Sequence, residues 1–507
     1  MFRTASRVIF TRHPYARRFS PTLLGVANLS QTTTKSLLET STKNTVQRIG
    51  RHVLRFTLFA FASIVIVYEG AHLYVERVQM APETDPEVKK WEWDLINSDW
   101  TGDLIKGGTC PTLGFKARHI IRAAFSTYHN DVQDSTVVVE EENSEEHDQS
   151  PGLTHVVDAR LYETERHLNN AISLIEGNLA NDDHSSHAFC MLLIRHADVL
   201  EQLGHRMHLM LAKDDYQRAW QHCKTPQYRE FIAYKLGDLN SRLGRSTEAM
   251  KWWNISTQLI QERNHESVGV STGYQSIPHS PLAQRILASI LVSKSAYLAA
   301  SGNIVEAQTI EESALNFLRS IRHPDSIATT SPPQALHAAY LLQRSSLLFV
   351  HQAEVFHAQR QPVNVSIQWL ASAAESSERV ADILTGAKFE PKSKSDRSSP
   401  LTRPKTSVEL LSVYASSPSM NGPAKALLRD ARRTAAEAWN MMGILHEQRD
   451  GRGSRSALEC FERALSWAGT VEDDNKSLGP AKDTLHSDWH IYWSNYQRAK
   501  NIQASSN

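Results

Sequence analysis

Small residues recur twelve positions apart in this 507-residue chain, set among apolar residues at helical spacing. In residues 233–260, Leu236-Gly237 and Asn240 are followed by Gly244, Ala249, Trp253 and Ser256. Residues 291–318 carry Ser295, Leu298, Gly302, Ala307, Glu311 and Ala314, again with twelve from Ser295 to Ala307. Residues 439–467 carry Trp439, Met442-Gly443 and His446, then Ala457, Phe461 and Ala464, with a turn about two residues longer through Asp450-Gly451-Arg452-Gly453. Small residues on both helices of a pair permit close approach, and Trp253, Trp439 and Phe461 fill the space between. Gly443 and Ala457 are expected to face each other. One such pair cannot bury its own inner face, so pairs must stack, which predicts an all-α helix-turn-helix solenoid.

The pattern W-x2-L-G-x2-Y, then A-x3-F-x2-A, resembles the tetratricopeptide repeat (TPR) family. Looser helical pairs at 159–178, 188–222 and 337–380 cover most of the remaining body. The resemblance implies TPR-like repeats over 153–385 and 408–485, with a tail at 486–507. It also implies a groove, lined by the first helix of each pair, that holds extended or helical peptides of other proteins. Some TPR proteins clamp a terminal carboxylate with an Asn just after the central small residue. Here that position is Asp238 in one unit and Ile444 in another, so chaperone-tail binding is not implied. Lys235, Asn240, Asn440 and His446 are candidates to face the groove, but the register does not assign them as ligands.

The amino end reads as an address. Residues 1–50 carry Arg3, Arg7, Arg12, Arg17, Arg18, Lys35, Lys43 and Arg48 against the single acid Glu39, and hydroxyl residues are dense. That composition predicts a mitochondrial transit peptide, otherwise disordered. Residues 56–75, FTLFAFASIVIVYEGAHLYV, have the length of a single bilayer span. Glu69 and His72 fall near its far end, where an interface tolerates them, and Tyr68 and Tyr74 sit where interfacial aromatics belong. Arg48, Arg51, His52 and Arg55 precede the span, and Glu76, Arg77, Glu83, Asp85 and Glu87 follow it. The positive side is the amino side. In a mitochondrial inner membrane this puts the carboxyl-terminal body in the intermembrane space.

Residues 76–133 read as a membrane-proximal helical segment. Asp85-Pro86 caps a helix expected to run to about Asn97, with Val88, Trp91 and Leu95 on one stripe. Trp91, Trp93 and Trp100 suit either the membrane interface or packing on the first repeat. Phe115 to Tyr128 is a second helix, basic through Lys116, Arg118 and Arg122. The run Glu140-Glu141-Glu142-Asn143-Ser144-Glu145-Glu146-His147-Asp148 marks residues 134–152 as an acidic, unstructured linker. Further breaks are expected at 264–281 and 322–333, and a disordered loop at 386–407.

The chain shows little site chemistry. Glu201, His205 and His208 share one helical face, but among 23 His such a coincidence is expected, and a solvated face is the better reading. His184, His187 and Cys190 take the same discount. Gly269-Val270-Ser271-Thr272-Gly273 fits G-x-S-x-G without the strand and helix a nucleophile elbow needs. No phosphate-binding loop is present. No catalytic, cofactor-binding or metal residue is therefore assigned, and no enzyme or cofactor is expected. The 55 basic residues balance 55 acidic ones, which argues against nucleic acid as a partner. Four cysteines without paired spacing exclude a disulfide scaffold.

The layout of targeting segment, single span and carboxyl-terminal repeats resembles the TPR adaptor of the fungal inner-membrane AAA protease. By that resemblance the chain is a membrane-anchored protein-binding scaffold in protein quality control, delivering substrates to an AAA protease complex. The alternative is an assembly factor for a respiratory-chain complex.

Overall fold

The computed structural model describes residues 35–97, 100, 107–129, 136–140, 154–177, 183–268, 277–322, 330–386, 409–472, 478–480 and 486–506. The chain divides into two compact units, Met1–Glu69 and Gly70–Asn507. The described part of the first unit belongs to α1 (Lys35–Tyr74), which passes into a π-helical turn at Val75–Gln79. Among the described residues, the helical stretch 51–79 is the one long and apolar enough to cross a membrane, and it contains the expected 56–75 span. Phe56 and Phe59 leave 76% and 71% of their surface uncovered by protein, as suits a helix apolar all round. Of the predicted targeting segment, residues 35–50 are helical, and residues 1–34 lie outside the described residues.

The second unit is predominantly helical. Two short helices, α2 (Pro86–Lys90) and α3 (Asp94–Asn97), precede α4 (Phe115–His129). Then come α5 (Ala159–Glu176), α6 (Asp183–Leu203), α7 (Arg206–His222), α8 (Pro226–Arg242) and α9 (Ser246–Val268). They are followed by α10 (Pro281–Ala300), α11 (Ile304–Ser320), α12 (Pro332–Ala358) and α13 (Val363–Thr385). The chain closes with α14 (Ser412–Ala415), α15 (Pro418–Asp450), α16 (Arg455–Ala468) and α17 (His486–Ser506). Packing follows chain order: α4 on α5, α6 on α7, α8 on α9, α10 on α11, α12 on α13 and α15 on α16. The second helix of each pair also meets the first helix of the next, and the first helices α8, α10, α12 and α15 touch in series.

The small residues sit where close approach requires them. The nearest atoms to a methyl built on Gly237 belong to Trp253, at 2.3 Å, and on Gly443 to Phe461, at 2.5 Å. Gly443 thus opposes Phe461, one turn beyond the Ala457 expected from sequence. The pairings are regular: Gly237–Trp253 and Ser295–Glu311 are each 16 residues apart, and Gly443–Phe461 is 18. The two extra residues are the longer turn. Trp253 also donates its indole N–H to Asp238 at 3.0 Å, and Glu230 receives both arms of Arg263 at 2.7 and 2.8 Å.

Four expectations need correction. The pair expected at 159–178 is a single helix, α5, ending at Glu176, whose partner is α4 across the acidic run, so the membrane-proximal segment supplies half of the first pair. The 134–152 linker begins in a strand: β1 (Thr136–Glu140) pairs antiparallel with β2 (Thr154–Asp158), Val138 opposite Val156, because β-branched runs favour the extended chain. Residues 141–153, most of the acidic run among them, lie outside the described residues, as does the 386–407 loop beyond Gly386. The 264–281 break is shorter than expected, since α9 runs to Val268. The 486–507 tail is α17, and it packs on α16 through buried Trp489, Tyr492, Tyr496 and Ala499. A further ladder, β3 (Thr470–Glu472) with β4 (Leu478–Pro480), links α16 to α17.

Gly237→Leu tests this packing. The added side chain must displace the fully buried Trp253, so overpacking of roughly 1–3 kcal/mol should outweigh the ~1 kcal/mol gain in helix propensity. Urea unfolding of the detergent-solubilised protein should show a lower midpoint; an unchanged midpoint would contradict the Gly237–Trp253 contact.

Candidate functional site

Residues 83–95 form a strap across the leading ends of the first helices. At Ser419 near the start of α15, the hydroxyl donates to Glu83 Oε2 at 2.7 Å. At Ser331, the N-cap of α12, it donates to Glu87 Oε2 at 3.3 Å. Glu92 Oε2 accepts from Ser280 Oγ, the N-cap of α10, at 2.5 Å and from the Leu282 amide at 2.8 Å. Tyr228 in the first turn of α8 donates its hydroxyl to the Leu95 carbonyl at 3.1 Å. The strap thus visits α15, α12, α10 and α8 in turn and brings one carboxylate to each of three helix N-termini. There the positive end of the peptide dipoles favours an anion, by roughly 0.3–1 kcal/mol each.

Apolar and cationic contacts lock the strap. Val88 and Trp93 are almost fully buried, and the Trp93 indole donates to the Pro333 carbonyl at 2.9 Å. The Arg285 guanidinium lies 3.9 Å from the Trp93 ring centre and donates to the carbonyls of Trp91 and Glu92 at 3.0 and 2.9 Å. Burial pushes this guanidinium down to about 10. Packing, not the interface, therefore accounts for Trp93, and Trp100 likewise lies against Phe125 under the Arg195 guanidinium. The helix expected to reach Asn97 breaks at Glu92, whose φ of 51° turns the chain so that Trp91 and Trp93 address α12 and α10.

Beside the strap, the first helices carry a row of half-buried aromatic and charged side chains. Lys235 on α8 donates to Glu201 on α6 at 2.8 Å. Burial works against its ammonium, but Glu201 and Asp198 more than offset that and raise its pKa. Asp238 is held above the usual carboxylate range by burial, despite hydrogen bonds from Tyr234, Ser293 and Trp253. Tyr340 on α12 shares a hydrogen bond with Ser289 of α10 at 2.8 Å and lies beneath the Arg344 guanidinium at 4.6 Å. Arg344 in turn reaches Asp430 of α15 at 4.0 Å. Cations, carboxylates and aromatic faces thus alternate along α6, α8, α10, α12 and α15. Such a mix suits polar and aromatic contacts with an extended chain.

The residues singled out by sequence distribute as follows. Glu201 belongs to this row, bound by Tyr216, Lys235 and Arg242. The single helical face expected for Glu201, His205 and His208 is not formed: α6 ends at Leu203, Gly204 turns the chain, and His205 caps α7 by accepting from the Met207 amide, with its ring 5.9 Å from that of His208. Among the described residues no group of three or more His, Cys, Asp or Glu is placed to hold a metal. Of the four groove candidates, Lys235 lies in the row. Asn240 is buried and bonds the Leu236 carbonyl, Asn440 accepts from Asn495, and His446 lies against Arg449 and Asp450. Residues 269–273 lie outside the described residues. One unforeseen set joins Ser295 to Glu311 at 3.2 Å and to His351 at 3.0 Å. Ser295 and Glu311 are fully buried, so this is core polarity closed to substrate. Its sequence signal was the Glu at a position where the other pairs carry an aromatic residue.

No family model matches the chain, and no curated protein matches it either.

The row is held at its amino end by a buried histidine. His196 Nδ1 meets Asp215 Oδ2 at 2.6 Å, and Nε2 lies 3.5 Å from Glu165, linking α5, α6 and α7. Burial alone would lower its pKa, but the hydrogen bonds and charges of Asp215 and Glu165 prevail and raise it to about 9. The folded value lies above the ordinary one of about 6.5. The stabilisation is thus complete below pH ~6.5 and is lost as pH rises through about 9. Stability of the wild type should fall over that window relative to His196→Gln; parallel pH profiles of the two proteins would refute the ion pair.

Proposed function

We propose that the chain is a membrane-anchored protein-binding scaffold of the tetratricopeptide type, its helix pairs stacked as an α-solenoid. The ordered packing of consecutive pairs and the 16-residue register of Gly237–Trp253 and Ser295–Glu311 support the repeat reading. The acid-poor amino end, the single apolar stretch and the charge asymmetry around it support a single-pass mitochondrial inner-membrane protein with its body in the intermembrane space. The observation that carries the function is the row from Glu201 to Asp430. It sets partly exposed Tyr234 and Lys235 on α8 and Tyr340 and Arg344 on α12. Aromatic and Arg side chains in such settings dominate protein recognition.

In this reading the body captures polypeptide segments and presents them to a membrane-bound AAA protease, as an adaptor. Crosslinking followed by affinity capture from detergent-solubilised mitochondria tests it. An AAA protease among the captured proteins is the expected result. Respiratory subunits without any AAA protease would overturn the adaptor role in favour of complex assembly. Arg344→Glu should reduce partner recovery on the order of tenfold or more, the effect of losing one central Arg contact, with helix content unchanged. Undiminished recovery would remove the row from the binding face.

A further inference from the structure

We infer that the first turn of α4 is a second membrane contact, with Phe115 seated at the boundary of headgroups and acyl chains and Lys116 among anionic headgroups. The inference rests on the reading of 56–75 as a bilayer span. Three observations carry it. The end of the apolar helix is tied to α4: Glu76 accepts from Arg118 at 2.9 Å and from the Thr109 amide at 2.9 Å, and lies 3.4 Å from Arg122. The two helices run in the same direction, because the His119 ring lies 4.7 Å from His72, and one turn on Arg122 meets Glu76. His72 falls within the span, so the start of α4 lies at the level of the bilayer surface. Phe115 precedes His119 by four residues, about 6 Å further toward the apolar stretch at 1.5 Å per residue.

The side chains at that end suit a lipid surface. Phe115 is 68% exposed, among the most exposed large apolar residues of the second unit. Pro111, Thr112 and Lys116 are exposed beside it, and the first turn of α4 holds no acid. Leu73, Tyr74 and Val78 at the end of the span helix are exposed as well. An aromatic ring with a neighbouring cation is the composition of an interfacial anchor. A basic side chain near an anionic leaflet adds an attraction that falls off within a Debye length. Phe115 and Lys116 then add a second, local contact with the lipid surface beside the end of the span helix, through the α4 turn that Glu76 holds.

The test uses the full chain with Phe115→Cys carrying a nitrobenzoxadiazole label, in vesicles of phosphatidylcholine and phosphatidylglycerol. The four native cysteines are buried and do not compete for label. Phe59→Cys in the span and Val305→Cys, 78% exposed on α11, are controls. The expected result is loss of iodide quenching at position 115 and quenching there by lipids spin-labelled at a shallow acyl carbon, with the reverse at 305. If position 115 behaves like 305 while 59 is quenched by lipid, the second contact is refuted and the span stands. If 59 also escapes lipid quenching, the membrane reading fails and takes this inference with it.

Discussion

Arg285 places a cation in the layer of first helices, where it is 3% exposed, and such a charge is costly unless it is met from every side. The strap meets most of it: two backbone carbonyls accept hydrogen bonds from its terminal nitrogens and the face of Trp93 covers its plane, while Nε makes no hydrogen bond among the described residues. Removing one side of a buried charged contact typically costs about 3–5 kcal/mol, so the strap belongs to the fold. The same thirteen residues bring Glu83, Glu87 and Glu92 to the starts of α15, α12 and α10. The segment leaving the apolar helix therefore fixes the spacing of the first helices, and with it the row of side chains proposed to bind protein.

The chain just beyond the apolar helix makes contacts at both ends of the helical stack. Glu76 ties the end of the span helix to α4, and α4 is one half of the first helical pair. Three residues beyond Met80, Glu83 reaches α15 near the other end of the stack. Both ends of the helical body are thus attached within a dozen residues of the apolar helix.

Much of this was legible in sequence, for physical reasons. The helix pair holding Gly237 and Trp253 was legible, but the reading spaced its small residues twelve apart; the close contact falls four residues later, because only a residue without a side chain fits beneath a buried indole. The caps at Asp85-Pro86 and the apolar run from Phe56 are local signals, and both hold. The tail was misread: Trp489, Tyr492, Tyr496 and Ala499 follow helical spacing, but no repeat pattern drew attention to it. The strap was hidden for two reasons. Its contacts join residues 133 to 336 apart in sequence, and its shape depends on the left-handed turn at Glu92, a residue type that rarely adopts it. The first pair was hidden because its turn is the long acidic run, and the repeat rule expects a short one. The binding row was only partly legible: Lys235 was in view, whereas Tyr340 and Arg344 reach it through the packing of α12 on α10.

Hydrogen exchange on the full chain in detergent, comparing wild type with Trp93→Ala, tests the strap most directly. If the strap fixes the first helices, amide protection should drop in the opening turns of α10, α12 and α15 while α6 and α7 keep theirs. Unchanged protection at the starts of α10 and α12 would show that these helices hold their places without it, contradicting the strap's role in spacing the first helices.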